Sequence, residues 1–401
     1  MTTSRLSLVI IAVCAAPVAA DTHRAGDASE FNKAVNAAKP GDTILVAPGE
    51  YASNFSFRGI RGEAGRPIVI AAANPEKPPR FAGPAAALHF SGPSHIELRD
   101  LHISGSRGNG LNIDDGGDAK NAAHHITLRN LRVSDIGPRG NSDGIKLSGL
   151  DDFRVEDCVV EKWGSNGSGI DMVGCRRGEI VNCVFRKGGD NGVQAKGGSS
   201  EITIRRCRFE DAGSRAVNLG GSTGESSFRK RLLPADPDAK YEAKDLRVEG
   251  CTFIGGGAGV AFVGVDGATV RFNTFYHPSR YVVRILQENT GPGFVPSRGG
   301  IFEHNIVVFR ASDWAAGGVN IGPKTAPDSF RFAGNLWYCE DRPDRSRPQL
   351  PTAERDGIVG RDPKFKDVAK GDFGVAADSP ARDIGAHALP DAKRTKDGPR
   401  K

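Results

Sequence analysis

A five-residue pattern recurs through the middle of this chain: small, apolar, variable, apolar, variable. It reads Gly110-Leu111-Asn112-Ile113-Asp114, Gly144-Ile145-Lys146-Leu147-Ser148, Gly169-Ile170-Asp171-Met172-Val173 and Gly192-Val193-Gln194-Ala195-Lys196. Further copies start at Ala216, Gly259, Val282 and Gly318, and the cleanest spacings are 25, 23, 24 and 23 residues. A companion pattern follows each copy, as in Ile126-Thr127-Leu128-Arg129-Asn130-Leu131 and Ile202-Thr203-Ile204-Arg205-Arg206-Cys207. Apolar and polar residues alternate in both, so each is a short strand. Two or three short strands per repeat at this period predict a coil with one rung per repeat, its rungs stacked as parallel sheets.

Composition agrees. Of 401 residues 52 are Gly, 24 Pro and only 2 Met, which disfavours a helical bundle and favours many turns. A net charge of +6 is small beside 54 basic and 48 acidic residues, so nothing demands a nucleic-acid partner. Residues 1–20 place Arg5 before an apolar stretch and end on Val18-Ala19-Ala20, which predicts a signal peptide cleaved before Asp21. Secretion or a periplasmic location follows. No later stretch is apolar for long enough to span a membrane. Residues 21–388 are expected to form one domain, and 389–401 a basic, disordered tail.

In the repeat register Cys158, Cys183, Cys207 and Cys251 share one inward position on successive rungs. They are expected to be unbonded thiols filling the core, with no CxxC spacing to suggest a metal site. Asn130, Asn182, Asn273, Asn305 and Asn335 suggest an asparagine stack at one corner. Residues 29–38 read as an amphipathic helix with Asp27 or Ser29 as its cap, placed to close the open first rung.

The run AVNAAKPGDTILVAPGEY resembles the start of secreted right-handed parallel β-helix proteins of the pectin-lyase-like superfamily. DPKF and ADSPARDIGA resemble their closing rungs. The resemblance spans roughly residues 25–388 and implies an all-β solenoid with an N-terminal capping helix. It carries less about activity, because the superfamily holds lyases, hydrolases, epimerases and adhesins.

A site is sought on the outward side of the first pattern. One column there reads Asn112, Lys146, Asp171, Gln194, Asn218, Ala261, Arg284, Asn320; the next reads Asp114, Ser148, Val173, Lys196, Gly220, Val263, Leu286, Gly322. Three repeats are over-long immediately after this strand, at 114–123, 221–244 and 287–300, so the extra residues wall one side of one face. The second insert carries Arg229, Lys230, Arg231, Lys240 and Tyr241. A polar floor beside a basic wall suits an extended anionic polysaccharide, bound by a monomer.

β-Elimination on a uronate needs its carboxylate neutralised, a base for the C5 proton and an acid for the leaving oxygen. Lys196, with Val173 and Gly220 as small neighbours, is the candidate base. Lys146, Asp171, Gln194, Asn218 and Arg284 are the candidate substrate ligands. Lys196 in DNGVQAKGGSS also resembles, in rung position, the lysine base of chondroitinase B and alginate-lyase-type β-helix enzymes. Those enzymes carry an arginine on the next rung, where this chain reads Val217-Asn218-Leu219-Gly220. Calcium is an open question, with Asp143, Asp171 and Asp190 as candidate ligands. A non-catalytic glycan-binding scaffold, a uronate epimerase and a glycoside hydrolase are the alternatives.

Overall fold

The structure is a computed structural model that describes residues 20–390, except 119, 138–139, 230–231, 233–234 and 237. The predicted signal peptide (save Ala20) and most of the basic tail lie outside these residues. Each rung of the coil contributes one strand to each of three parallel sheets, in a fixed order. The first sheet has twelve strands, from Thr22–Ala25 to Arg331–Ala333. The second, also of twelve, runs from Glu50–Ala52 to Ile358–Val359. The third has ten, from Phe55–Arg58 to Val319–Ile321, and carries the five-residue pattern. The chain passes first, second, third sheet and back, a right-handed coil as parallel crossovers require.

Corner chemistry explains the small residue that opens each copy of the pattern. A Cβ on Gly144 would stand 2.7 Å from Val160 of the second sheet, and one on Gly169 3.0 Å from Phe185. The third sheet turns so sharply against the second that the position is Gly in most rungs, with Ala at 87 and 216 and Val at 282. Inside the coil, equivalent residues stack on themselves. The rings of Phe185, Phe209, Phe253 and Phe275 lie parallel with centroids 4.5–5.0 Å apart.

The four cysteines occupy one inward column as expected, and all six described cysteines are buried and free. Burial pushes the Cys175 thiol up to about 12, so it carries no thiolate at neutral pH. The asparagine expectation divides. Asn273, Asn305 and Asn335 continue the cysteine column itself. Asn305 Oδ1 accepts from the backbone and side-chain amides of Asn273 (2.9 and 3.0 Å), and Asn335 Oδ1 accepts likewise from Asn305. The stack ends on Glu354, whose carboxylate takes both Asn335 amides and Trp337 Nε1. Asn130 and Asn182 sit one residue earlier, exposed, in the left-handed conformation that makes the corner (φ 49° and 55°). They are turn residues and not part of the stack.

The capping helix spans Ala28–Ala37, with Asp27 accepting from Glu30 N–H and Glu30 reaching back to Gly26 N–H. It buries Phe31, which packs against Tyr51, Phe55, Phe57 and Phe81 of the first rungs. The C-terminal expectation needs correction: DPKF and ADSPARDIGA do not close the coil. Residues 360–390 turn back along its outside, where Gly371 O accepts from Arg208, Ala386 N–H donates to Thr274 and Pro390 O accepts from Arg205. Apolar residues cause the reversal, because Val375, Ala381 and Ile384 bury against Ile306, Val308 and Leu336.

Two outcomes test this interior. Asn305→Ala strands the amides of Asn273 and should cost about 2–5 kcal/mol in denaturant unfolding, while Asn130→Gly should change stability by less than about 0.5 kcal/mol. Thiol titration of the denatured, unreduced mature protein should find all six cysteines free; fewer than four would contradict the ladder.

Candidate functional site

The third sheet aligns the outward column as expected: Lys146 pairs with Asp171, Asp171 with Gln194, Gln194 with Asn218, and Ala261 with Arg284. Lys196 pairs with Val173 on the neighbouring column. Every side chain is thereby held about 4.8 Å from its equivalent on the next rung.

Charge concentrates at Asp171, whose side chain is 2% exposed. The Lys146 ammonium donates to Asp171 Oδ2, with Asp143 Oδ2 3.5 Å away on its other side. Lys196 Nζ stands 3.6 Å from the same Asp171 oxygen. One buried carboxylate therefore faces two ammonium groups from the rungs before and after it. The carboxylates of Asp171 and Asp143 hold the Lys146 ammonium above its ordinary pKa even against burial. Lys146 is thus a fixed cation beneath the floor more than a sugar ligand. Burial, aided by the charge of Asp171, pushes the Asp143 carboxyl up to about 6.

Calcium does not fit this arrangement. The Lys146 ammonium already lies between Asp143 and Asp171, and Asp190 is turned to Asn191 Nδ2 (3.1 Å).

Among the described residues, three buried polar atoms on consecutive strands have no hydrogen-bond partner: Asp171 Oδ1, Asn191 Oδ1 and Asn218 Nδ2. Each such atom costs about 1–3 kcal/mol if left unmet. Two residues open the neighbouring strands, and of these Arg215 was not singled out from the sequence. Asn191 opens the Lys196 strand. Arg215 opens the next one, and its guanidinium donates to Asn218 Oδ1 (3.2 Å) and pairs with Glu288 (2.5 Å). The strand that reads Val217-Asn218-Leu219-Gly220 thus has an arginine over it after all, delivered from its first residue. Arg284 lies farther along, donating to Asn320 Oδ1 (3.0 Å) and resting over the Tyr281 ring. Burial and the Arg215 charge lower its pKa.

The three inserts do join into one wall. Asp115 of the first, fully buried, accepts from Arg229 Nε of the second at 2.6 Å. Lys240 of the second bonds backbone to backbone with Gly293 and Val295 of the third. Buried Glu242 ties both to the Lys196 rung, accepting from the N–H groups of Gly197 and Thr223, the Thr223 hydroxyl and Asn289 Nδ2. Two expectations change as a result. Arg229 and Lys240 pin the wall and are not a free basic surface; Lys230 and Arg231 lie outside the described residues. Gly220 does not open space for a sugar. Its Cβ would lie 1.8 Å from Val263 O, and Gly221 then passes over Gln194 and Lys196.

The Asp143 assignment has a pH signature. Its folded pKa exceeds the unfolded value of 3.8, so the stabilisation from its proton is fully present below 3.8 and lost as pH rises through about 6. The stability of the wild type relative to Asp143→Asn should therefore rise as the pH is lowered from about 7 to about 4. A difference in unfolding free energy that is flat across that window would refute a raised Asp143.

Residues 86–230 and 119–295 match the family model described as a right handed beta helix region, together more than half the chain. No curated protein matches this sequence. Among solved structures, an alginate lyase from Paenibacillus sp. is similar at 17% identity and TM-score 0.53, over 76% of this chain and 96% of that one. The A-module of a mannuronan C-5 epimerase from Azotobacter vinelandii is similar at 12% and 0.55, over 84% and 96%. A lacto-N-biosidase from Eubacterium ramulus is similar at 12% and 0.54, over 84% and 66%. The stacked rungs, the one-residue corners and this match give one conclusion: the chain belongs to the right-handed β-helix family.

Proposed function

We propose that this protein is a secreted polysaccharide lyase that cleaves a uronate-containing glycan by β-elimination on the outward face of the third sheet. The observation that carries the reading is Lys196 itself: its Nζ stands 3.6 Å from the buried Asp171 carboxylate, beside the outward row of Asp171, Gln194 and Asn218. Sugar hydroxyl and carboxylate groups have the donors and acceptors to bond that row. An alginate lyase and a mannuronan C-5 epimerase share the coil.

The chemistry follows from the charges. Arg215 and Asn218 neutralise and orient the carboxylate of the reacting sugar. Asp171, held by Lys146, fixes the position of Lys196 Nζ. A sugar packed over Nζ removes its water, and the chemistry uses Lys196 as its free amine. That amine takes the C5 proton, the C4–O4 bond breaks as the C4=C5 double bond forms, and the new Lys196 ammonium is the nearest acid for the departing O4. Arg284 is three rungs from Gln194, about 14 Å along the coil, and serves a different sugar unit.

An epimerase at C5 breaks the same C–H bond but keeps the chain intact. The test is a panel of uronate polymers in D2O, read by absorbance of unsaturated product and by deuterium at C5. Lys196→Ala should lower turnover about 10²–10⁴-fold with binding retained, whereas Arg284→Ala should mainly weaken binding. Full activity in Lys196→Ala removes Lys196 as base. Deuterium at C5 without chain cleavage replaces the lyase with an epimerase. Binding of the glycan without either change leaves a scaffold.

A further inference from the structure

The first sheet, on another side of the coil from Lys196, carries a cluster of imidazoles. Its strands Ser94–Arg99 and Ala123–Arg129 belong to consecutive rungs and pair in register, His124 opposite Ser94 and Ile126 opposite Ile96. Both strands kink at one residue in the left-handed conformation, His95 (φ 49°) and His125 (φ 55°). The kinks lay the His95 ring on the His125 ring, centroids 4.4 Å apart, and bring His124 edge-on to both. His124 Nδ1 and His125 Nδ1 are 2.9 Å apart. One ring nitrogen from each of the three lies within 4.8 Å of the others.

We infer that His95, His124 and His125 form a binding site for a divalent transition-metal ion, with zinc as its simplest occupant. Four-coordinate zinc holds nitrogen ligands at about 2.0–2.1 Å, which sets them about 3.4 Å from one another. The three nitrogens are gathered within 4.8 Å, and the stacked His95 and His125 rings turn out of parallel to aim both lone pairs at one ion. Two imidazole nitrogens in contact must share one N–H between them. An ion replaces that proton bridge once a ring changes tautomer, with no net proton released. Imidazole nitrogen selects zinc, nickel or copper over calcium or magnesium. The nearby Asp152 is engaged by Arg177 through both oxygens (2.8 Å each), so water completes the coordination. The ion would clip two rungs together at a place where both backbones are kinked.

A second group, Asp21, His23 and Asp42, also gathers ligand atoms. There Asp42 is already used by Asp21 N–H, Lys39 N–H and His23, which makes it the control. The experiment is titration calorimetry of the untagged mature protein with zinc chloride, with calcium chloride alongside. One zinc per chain should bind with a micromolar Kd, and zinc should raise Tm. His95→Ala and His125→Ala should each weaken binding by more than about 100-fold, since even losing an outer partner of a ligand costs 10–100-fold. His23→Ala should bind as the wild type does, and affinity should fall as the pH drops through the histidine range. Cobalt(II) in place of zinc should give visible bands that vanish in His125→Ala. Circular dichroism of the variants guards against unfolding. Absence of saturable zinc binding, or binding unchanged in the His95→Ala, His125→Ala double variant, overturns the site.

Discussion

Parallel hydrogen bonding between rungs is the constraint on which the rest of this molecule depends. It fixes each residue about 4.8 Å from its equivalent above and below. At that distance like meets like, and every column must tolerate its own repetition. Phenylalanine does so by stacking its rings, and cysteine by being small and apolar. Asparagine does so because its amide donates to the next rung and accepts from the one before. A stack of that kind needs an acceptor at its end, and the carboxylate of Glu354 provides one.

The same spacing creates the electrostatics of the outward face. Unlike charges on adjacent rungs are pressed into contact, so Lys146, Asp171 and Lys196 form a line with the carboxylate in the middle. A buried carboxylate paired this way is costly to desolvate and costly to unpair. Adding Asp143 gives two carboxylates among two ammonium groups, and burial, aided by the charge of Asp171, raises the Asp143 pKa. The wall is built by the same means at longer range. Asp115 and Glu242 are buried acids whose partners come from inserts distant in sequence, and they convert three loops into one structure.

What could be read from the sequence was whatever repeats. Alternation with a period near 24 residues identified the strands of two sheets, the stacked coil, the inward cysteines and the membership of the outward columns, because each is a statement about position within a rung. The helical cap was legible for a different reason: Asp27 and Glu30 form a local signal. Asn130 and Asn182 were assigned to the stack because a one-residue shift separates the turn from the inward position, and such a shift reverses which way a side chain faces.

Tertiary structure alone decided whatever departs from the repeat. The path of an insert has no period, so Arg229 read as a free cation when it is a half-buried pin on Asp115. Arg215 lies outside the five-residue pattern, and only the reach of its side chain puts a guanidinium over Asn218. DPKF and ADSPARDIGA resemble closing rungs, yet Val375, Ala381 and Ile384 bury against Ile306 and Leu336 on the outside of the coil. The sequence by itself determined the rung and its repetition, since these depend on local alternation and on identical neighbours. The charge state at Asp143, the closing of the wall and the meeting of three histidines came only with the fold, because each depends on distances between residues that the period does not relate.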